Sequence, residues 1–154
     1  MIVPTLHNDF PQFRFVKSDL FTWVPTKKVI QFKSDHSNED SWSIFHELGH
    51  GILQHKSFYT DIELLQLEVA AWDKAKQLAK NYHITIDWRH IEQCIDSYRD
   101  WLHARSTCPH CGIISFQVNR HRYECFNCGG AWSVSTSRLC RIHRRKIIQK
   151  QTSN

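Results

Sequence analysis

Residues 37–55 read SNEDSWSIFHELGHGILQH, and this stretch decides the fold. Ser37 and Asp40 form a pattern that starts helices, because each side chain can bond the backbone N–H of the other residue. Apolar residues follow at Trp42, Ile44, Phe45, Leu48, Ile52 and Leu53. The stretch therefore predicts a helix over about residues 38–54.

The same stretch carries an HExxH motif. His46 and His50 are four residues apart, so on a helix both imidazoles point the same way and can reach one Zn²⁺ at about 2.1 Å. Glu47 then sits beside the metal rather than on it, where it can act as general base toward zinc-bound water. A catalytic zinc needs a third protein ligand.

A second predicted helix, about residues 61–80, offers Glu63 and Glu68 as that ligand. At 100° per residue Glu63 lies about 140° from Glu68. Glu68 is central in an apolar stripe made of Leu64, Leu65, Ala71, Trp72, Ala75 and Ala79. A carboxylate there is costly unless it is paired or metal-bound, so we expect Glu68 to be the ligand. The alternative is a buried Glu satisfied by Arg or by backbone donors.

His55 is a rival for the third position. Its five-residue spacing from His50 turns it away from the face that His46 and His50 share. We therefore expect His55 in the last turn of the helix, where an imidazolium interacts favourably with the helix dipole.

The remaining N-terminal pattern predicts an α+β fold. Aromatic and β-branched clusters around residues 13–15, 21–23 and 29–32 indicate three short antiparallel strands. A third helix is expected over about residues 87–105 with Asp87 as N-cap. Its buried stripe is predicted to contain Trp88, Ile91, Ile95, Tyr98 and Leu102. The expected architecture is a minimal zincin-like domain, residues 1–105, followed by a small β zinc ribbon, residues 106–154.

HELGH, followed eighteen residues after its second His by Glu68 in the segment EVAAWDKA, resembles the zincin domain of ImmA/IrrE-type metallopeptidases. The resemblance covers roughly residues 20–80. It implies a gluzincin with His46, His50 and Glu68 as zinc ligands and Glu47 as base. Members of that family cleave regulatory proteins in the cytoplasm.

Four cysteines form the second metal-binding pattern. The pairs Cys108/Cys111 and Cys125/Cys128 are each followed by glycine, which suits the tight turn that directs both sulfurs inward. They predict one structural zinc with four thiolates, and His110 and His121 are less favoured substitutes. Between the pairs we expect a hairpin of residues 113–118 and 121–124, and residues 131–134 can add a third strand.

Charge is unevenly distributed along the chain. Residues 1–101 contain 11 Lys plus Arg and 14 Asp plus Glu, whereas residues 102–154 contain 9 basic residues and only the acid Glu124. Such asymmetry favours an anionic partner, DNA or RNA first and an acidic protein second. The candidate contacts are Arg120, Arg122, Arg138, Arg141, Arg144, Arg145 and Lys146.

Together these patterns predict a zinc metallopeptidase with two Zn²⁺, one catalytic and one structural. The ribbon would recruit nucleic acid or a nucleic-acid-bound protein substrate, a layout similar to that of SprT-like proteases. The alternative is a non-catalytic, zinc-containing DNA-binding regulatory protein.

The chain shows neither a signal peptide nor a membrane span, and CxxC pairs are typical of metal sites in a reducing compartment, so we expect a cytoplasmic protein. Candidates for an extra oxyanion donor are His90, Tyr98 and Arg99.

Overall fold

The computed structural model describes residues 2–33, 37–135 and 144–147, and these form the α+β fold that the sequence predicts. The helices are α1 (Val3–Asp9), α2 (Asn38–Ile52), α3 (Asp61–Asn81) and α4 (Trp88–Ser106), with a 3-10 turn at Pro25–Lys27. The strands are β1 (Arg14–Lys17), β2 (Thr22–Val24), β3 (Val29–Phe32), β4 (Phe116–Asn119), β5 (Arg122–Glu124), β6 (Ala131–Val134) and β7 (Arg144–Ile147). No helix in these ranges is both long enough and apolar enough to cross a membrane.

The chain divides into two compact units, and the division differs from the single boundary expected near residue 106. The first unit comprises Met1–Ser57 and Gln66–Gln93, and the second comprises Phe58–Leu65 and Cys94–Asn154. The second unit thus includes the start of α3 and most of α4. The physical reason is a buried charge cluster, described below, which joins these helical segments to the C-terminal strands.

The sheet of the first unit has the strand order β1-β3-β2. β2 pairs antiparallel with β3, as expected, but β1 pairs parallel with β3, so the prediction of a wholly antiparallel sheet is wrong. The tight turn at Pro25–Lys27 makes β2 and β3 neighbours. β1 therefore pairs with the other edge of β3. Residue patterns predict strands but not their partners, and for that reason the sequence missed the parallel pair.

Helix α2 packs against β2 and β3, and it begins where the sequence predicts. The Ser37 hydroxyl accepts from the Asp40 amide at 3.1 Å, and the Asp40 carboxylate accepts from the Ser37 amide at 2.8 Å. The fully buried side chains around α2 come from α1, β3, α2 and α3, and they are Leu6, Ile30, Ile44, Phe45, Leu48, Ala71, Ala75 and Ala79. This core fixes the face of α2 that carries His46.

The predicted stripe on α4 is correct only in part. Ile91 and Ile95 are buried, but Trp88 is 65% exposed and carries the Arg89 guanidinium over its ring. Asp87 caps the helix by accepting from the Arg89 amide at 2.9 Å. Trp88 is therefore the first residue after the cap, and helical periodicity does not by itself bury a residue at that position.

The sheet of the second unit has the order β4-β5-β6-β7, with every pair antiparallel. The predicted hairpin and third strand are present as β4, β5 and β6. Tyr123 pairs with Trp132 across β5 and β6, and the two rings stack with centroids 5.5 Å apart. The sequence did not predict β7 or, at the other end of the chain, α1.

A buried ion pair joins the helical segments of the second unit to this sheet. The Arg105 Nε donates to the Asp61 carboxylate at 2.5 Å, and the Tyr123 hydroxyl donates to the same carboxylate at 2.6 Å. The Arg105 guanidinium also lies 4.4 Å from the Trp101 ring centroid and donates to the Ser135 carbonyl. Burial raises the pKa of Tyr123, and the Asp61 carboxylate raises it further, so the phenol keeps its proton.

We predict that Asp61→Asn lowers the free energy of unfolding by about 3 kcal/mol, because it leaves the Arg105 charge buried without its counter-ion. The measurement is denaturant unfolding followed by tryptophan fluorescence. Asp96→Asn is the matched control, since Asp96 pairs with Arg99 on the exposed side of α4. It is expected to change stability by no more than about 0.5 kcal/mol, and equal losses in the two variants would contradict the prediction.

Candidate metal centres

Close helix packing creates the first candidate centre. A Cβ added at Gly49 would lie 2.6 Å from the carbonyl oxygen of Ala71, a distance that folded proteins do not show. Gly49 therefore permits α2 and α3 to approach until their backbones touch. Glu68 lies one turn before Ala71 on α3, so this approach carries its carboxylate to the two histidines.

Three donor atoms converge there. His46 Nε2 lies 3.1 Å from Glu68 Oε2 and 3.1 Å from His50 Nε2, and His50 Nε2 lies 3.6 Å from Glu68 Oε2. Donors of a tetrahedral zinc with bonds of about 2.1 Å are about 3.4 Å apart, so this set fits such an ion. The structure thus brings together the three residues that the sequence selects as ligands.

Burial and hydrogen bonding favour an ionised carboxylate at Glu68. The residue is only 7% exposed, and burial alone raises the pKa of its carboxyl. Hydrogen bonds with His46 and His50, and the positive charge those rings can carry, outweigh burial and hold this pKa below its ordinary value. The charged form is the one that binds a metal ion.

Aromatic rings hold His46 in place. Its imidazole stacks on Trp72 with centroids 4.2 Å apart, and Trp72 meets His90 edge-on at 5.6 Å. His46 Nδ1 is buried and has no hydrogen-bond partner among the described residues. His90, an oxyanion candidate, also meets Trp42 edge-on. These ring contacts place His90 against the aromatic side chains of Trp42 and Trp72.

Glu47 is adjacent to the donor group without belonging to it. Its Oε2 accepts a hydrogen bond from the Trp23 backbone amide at 2.6 Å. Burial raises the pKa of Glu47, and the nearby His46 and His50 and the Trp23 amide oppose only part of that rise. A partly buried carboxyl with a raised pKa beside a metal site has the properties of a proton acceptor and donor.

His55 lies beyond the end of α2, not in its last turn as expected. Gln54 has a left-handed φ of 57°, the His55 amide bonds the His50 carbonyl at 3.0 Å, and the Gln54 amide bonds the Gly51 carbonyl at 3.1 Å, the pattern of a Schellman motif. This turn places His55 Nδ1 2.8 Å from His50 Nδ1. We assign the shared proton to His50 Nδ1, which leaves its Nε2 lone pair for a metal.

His55 does not belong to the donor group; its ring instead orients the candidate ligand His50 through the hydrogen bond between the two Nδ1 atoms. Burial lowers the pKa of His55, and the neighbouring His50 lowers it further, which favours a neutral ring. A lowered pKa does not favour the imidazolium that the sequence analysis expected at the helix end. Sequence spacing excluded His55 from the ligand face, but only the αL turn at Gln54 could reveal its contact with His50.

The second candidate centre contains the four predicted cysteines. Cys108 Sγ lies 3.7 Å from Cys128 Sγ, and Cys111 Sγ lies 3.5 Å from Cys125 Sγ. Sulfurs around a tetrahedral zinc with bonds of about 2.3 Å are about 3.8 Å apart, so these thiols also fit the ion. All four sulfurs lie within 4.8 Å of one another, and neither His110 nor His121 belongs to the group.

The two cysteine turns have the same backbone geometry. The Gly112 amide bonds the Cys108 carbonyl and the Gly129 amide bonds the Cys125 carbonyl, both at 2.9 Å. Both glycines have positive φ, 77° and 69°, which side-chain-bearing residues rarely adopt. The glycine after each CxxC pair therefore closes the turn that aims two sulfurs at one point.

The basic candidates divide into three groups. Arg120, Arg145 and Lys146 are exposed. Arg122 pairs with Glu124 at 2.5 Å and Arg144 donates to the Thr107 carbonyl at 2.7 Å. The positions of Arg138 and Arg141 are outside the described residues.

The ribbon aromatics divide equally between core and surface. Tyr123 and Trp132 are buried, whereas Phe116 and Phe126 are 69% and 67% exposed and contact each other with centroids 5.5 Å apart. The ribbon core therefore contains one aromatic pair, and the other pair is open to a partner. Gln117 is next to Phe116 on β4, and its side-chain oxygen accepts a hydrogen bond from the Asp61 amide. Neighbouring residues of a strand point to opposite faces of the sheet, so Phe116 points away from Asp61.

No family model matches the chain, and comparison with curated proteins and with solved structures finds no match. The roles of these residues therefore rest on their geometry and chemistry.

We predict that Glu68→Ala lowers the zinc content of the purified protein by one ion per chain, because it removes one of three donors. Metal analysis by mass spectrometry is the measurement. Glu63→Ala is the control, since Glu63 is exposed and accepts from the Tyr59 and Thr60 amides at the start of α3. Equal zinc loss in both variants would refute the assignment of Glu68.

Proposed function

We propose that the chain is a zinc-dependent endopeptidase of the gluzincin type. The observation that carries the proposal is the placement of Glu47 next to three converging donors from His46, His50 and Glu68. The likeness of HELGH and Glu68 to ImmA/IrrE-type metallopeptidases supports the same chemistry. A cytoplasmic regulatory protein is the class of substrate that this likeness suggests.

A zinc ion held by His46, His50 and Glu68 would supply Lewis-acid polarisation of the scissile carbonyl and a lowered pKa for the attacking water. Glu47 takes the proton of that water. We assign the acceptance to Oε1, because Oε2 is engaged by the Trp23 amide. The raised pKa of Glu47 allows it to keep the proton and then deliver it to the leaving amine nitrogen.

Glu47 also separates this proposal from the non-catalytic alternative. A regulatory protein that uses the site as a scaffold needs the three ligands but not a buried carboxylate beside them. Burying that carboxylate is costly, and catalysis is the role that uses it.

We predict that Glu47→Gln retains zinc and loses at least about 100-fold in peptide hydrolysis. The glutamine oxygen can still accept the Trp23 amide, but the amide cannot take a proton from water. The measurement is cleavage of a peptide library beside metal analysis of the same sample. Glu39→Gln, in the exposed first turn of α2, is the control. A Glu47→Gln enzyme with wild-type rates would contradict the peptidase mechanism.

We further propose that the ribbon binds single-stranded nucleic acid. Residues 107–135 and 144–147 contain five basic side chains and the single acid Glu124. The exposed Phe116–Phe126 pair gives the ribbon aromatic faces as well, and bases stack on such faces in proteins that bind single strands. Exposed aromatic rings together with basic side chains favour a single strand over a duplex, which offers no free base faces.

We predict that Phe116→Ala with Phe126→Ala weakens binding to a labelled oligo-dT by about tenfold or more without changing the salt dependence. Arg145→Ala with Lys146→Ala should instead reduce the slope of log affinity against log salt, by about 0.7 for each phosphate that the protein no longer neutralises. Fluorescence anisotropy across a salt series measures both. Wild-type protein that binds no strand at low salt would refute nucleic-acid binding and leave an acidic protein partner, or no partner, for this region.

A further inference from the structure

The first unit contains a cavity of about 390 Å³ next to α2, within the size range of ligand sites, roughly 300–1,000 Å³. Phe13 and Trp23 line it and meet edge-on, with centroids 5.4 Å apart. Gly51 lines it too, and a Cβ there would lie 3.3 Å from the Phe13 ring and 3.4 Å from the Trp23 ring. The cavity therefore has an aromatic wall whose position depends on a glycine of α2.

The charge of the cavity is positive. Lys28 and Lys56 line it, and none of its described lining residues is acidic. Neither lysine takes part in an ion pair with a described residue. Two lysines that form no ion pair within the described part of the chain, beside an aromatic wall, suit a carboxylate on an aliphatic stem: the ammonium groups attract the charge and the rings cover the stem.

Two tight turns bring residues to the rim of the cavity. Lys28 has φ 50° and Gln54 has φ 57°, and both line the cavity. Among the described residues His83 is the one other non-glycine with positive φ. Both are turn residues: Lys28 ends the 3-10 turn at Pro25–Lys27, and Gln54 is the left-handed residue of the Schellman motif that ends α2.

Trp23 connects the cavity to the candidate catalytic centre. Trp23 lines the cavity, its backbone amide donates to Glu47 at 2.6 Å, and its indole donates to the His55 carbonyl at 2.8 Å. Gly51 directly follows the ligand His50. A peptide held at the His46, His50 and Glu68 centre would thus have the cavity beside it.

We propose that this cavity is a specificity subsite for a glutamate or aspartate side chain of the peptide substrate. The proposal rests on the proposed peptidase function and adds the substrate class to it. Lys28 and Lys56 bind the carboxylate, and the rings of Phe13 and Trp23 pack against its stem.

The test compares pairs of peptides that differ only by Glu or Gln at each position around the cleaved bond. At one position wild-type enzyme should show kcat/KM about fivefold higher for Glu, a preference that shrinks as salt is raised. Lys28→Asn with Lys56→Gln should abolish the preference, so that this variant has the same kcat/KM for the Glu and the Gln peptide. Asparagine is chosen because it tolerates the left-handed conformation of Lys28.

Lys17→Gln with Lys80→Gln is the matched control, because it removes the same charge from exposed positions that do not line the cavity. The preference should persist in this control. If wild-type enzyme shows no preference, or if the preference survives in the cavity double variant, the subsite is refuted. If Lys28→Asn prevents folding, Lys56→Gln alone should lower the preference about twofold.

Failure of the peptidase itself has a different signature. If wild-type enzyme cleaves no peptide, the proposed function is wrong, and binding of a labelled Glu-containing peptide to Glu47→Gln then decides about the cavity. Weaker binding after the two lysine substitutions would support the cavity as an acidic-peptide site, and equal binding would overturn it. Competition by inorganic phosphate as effective as that of the peptide would reassign the cavity to small anions and also overturn the proposal.

Discussion

The first unit depends on the contact between Gly49 of α2 and the backbone of Ala71 on α3. Two helices usually keep their axes apart by the thickness of side chains, and here the missing Cβ removes that spacer. The consequence is chemical as well as structural. The side chain of Glu68 is too short to reach from one helix to another at the usual spacing. The close approach of α2 and α3 puts its Oε2 3.1 Å from His46 Nε2.

Helix α3 shows how position decides the role of a carboxylate. Asp61 is buried against Arg105 and Tyr123, Glu63 is exposed and accepts from two amides, and Glu68 joins two imidazoles. The two buried carboxylates each face cationic or proton-donating groups, as the cost of desolvation requires. Asp61 holds the second unit together, and Glu68 completes a candidate metal site in the first unit.

Trp23 connects several features of the first unit. Its amide positions the Glu47 carboxylate, its indole holds the turn that carries His55, and its ring forms part of the basic cavity. The ring is in turn confined by Phe13 and by the bare backbone of Gly51. The Glu47 carboxylate, the turn that carries His55 and the proposed subsite are thus all positioned by one residue of an edge strand.

The sequence by itself determined the features that depend on local spacing. The Ser37 cap, helix α2, the i,i+4 pair His46 and His50 and the paired cysteines are short-range patterns, and helical periodicity was enough to distinguish Glu68 from Glu63. Tertiary structure alone decided the parallel pairing of β1 with β3, the exposure of Trp88, the buried pair of Asp61 and Arg105, and the contact of His55 with His50. These features join residues through packing and through a left-handed turn at a non-glycine residue. Local patterns carry no signal for them, because the partner is set by how the elements meet and not by their spacing along the chain.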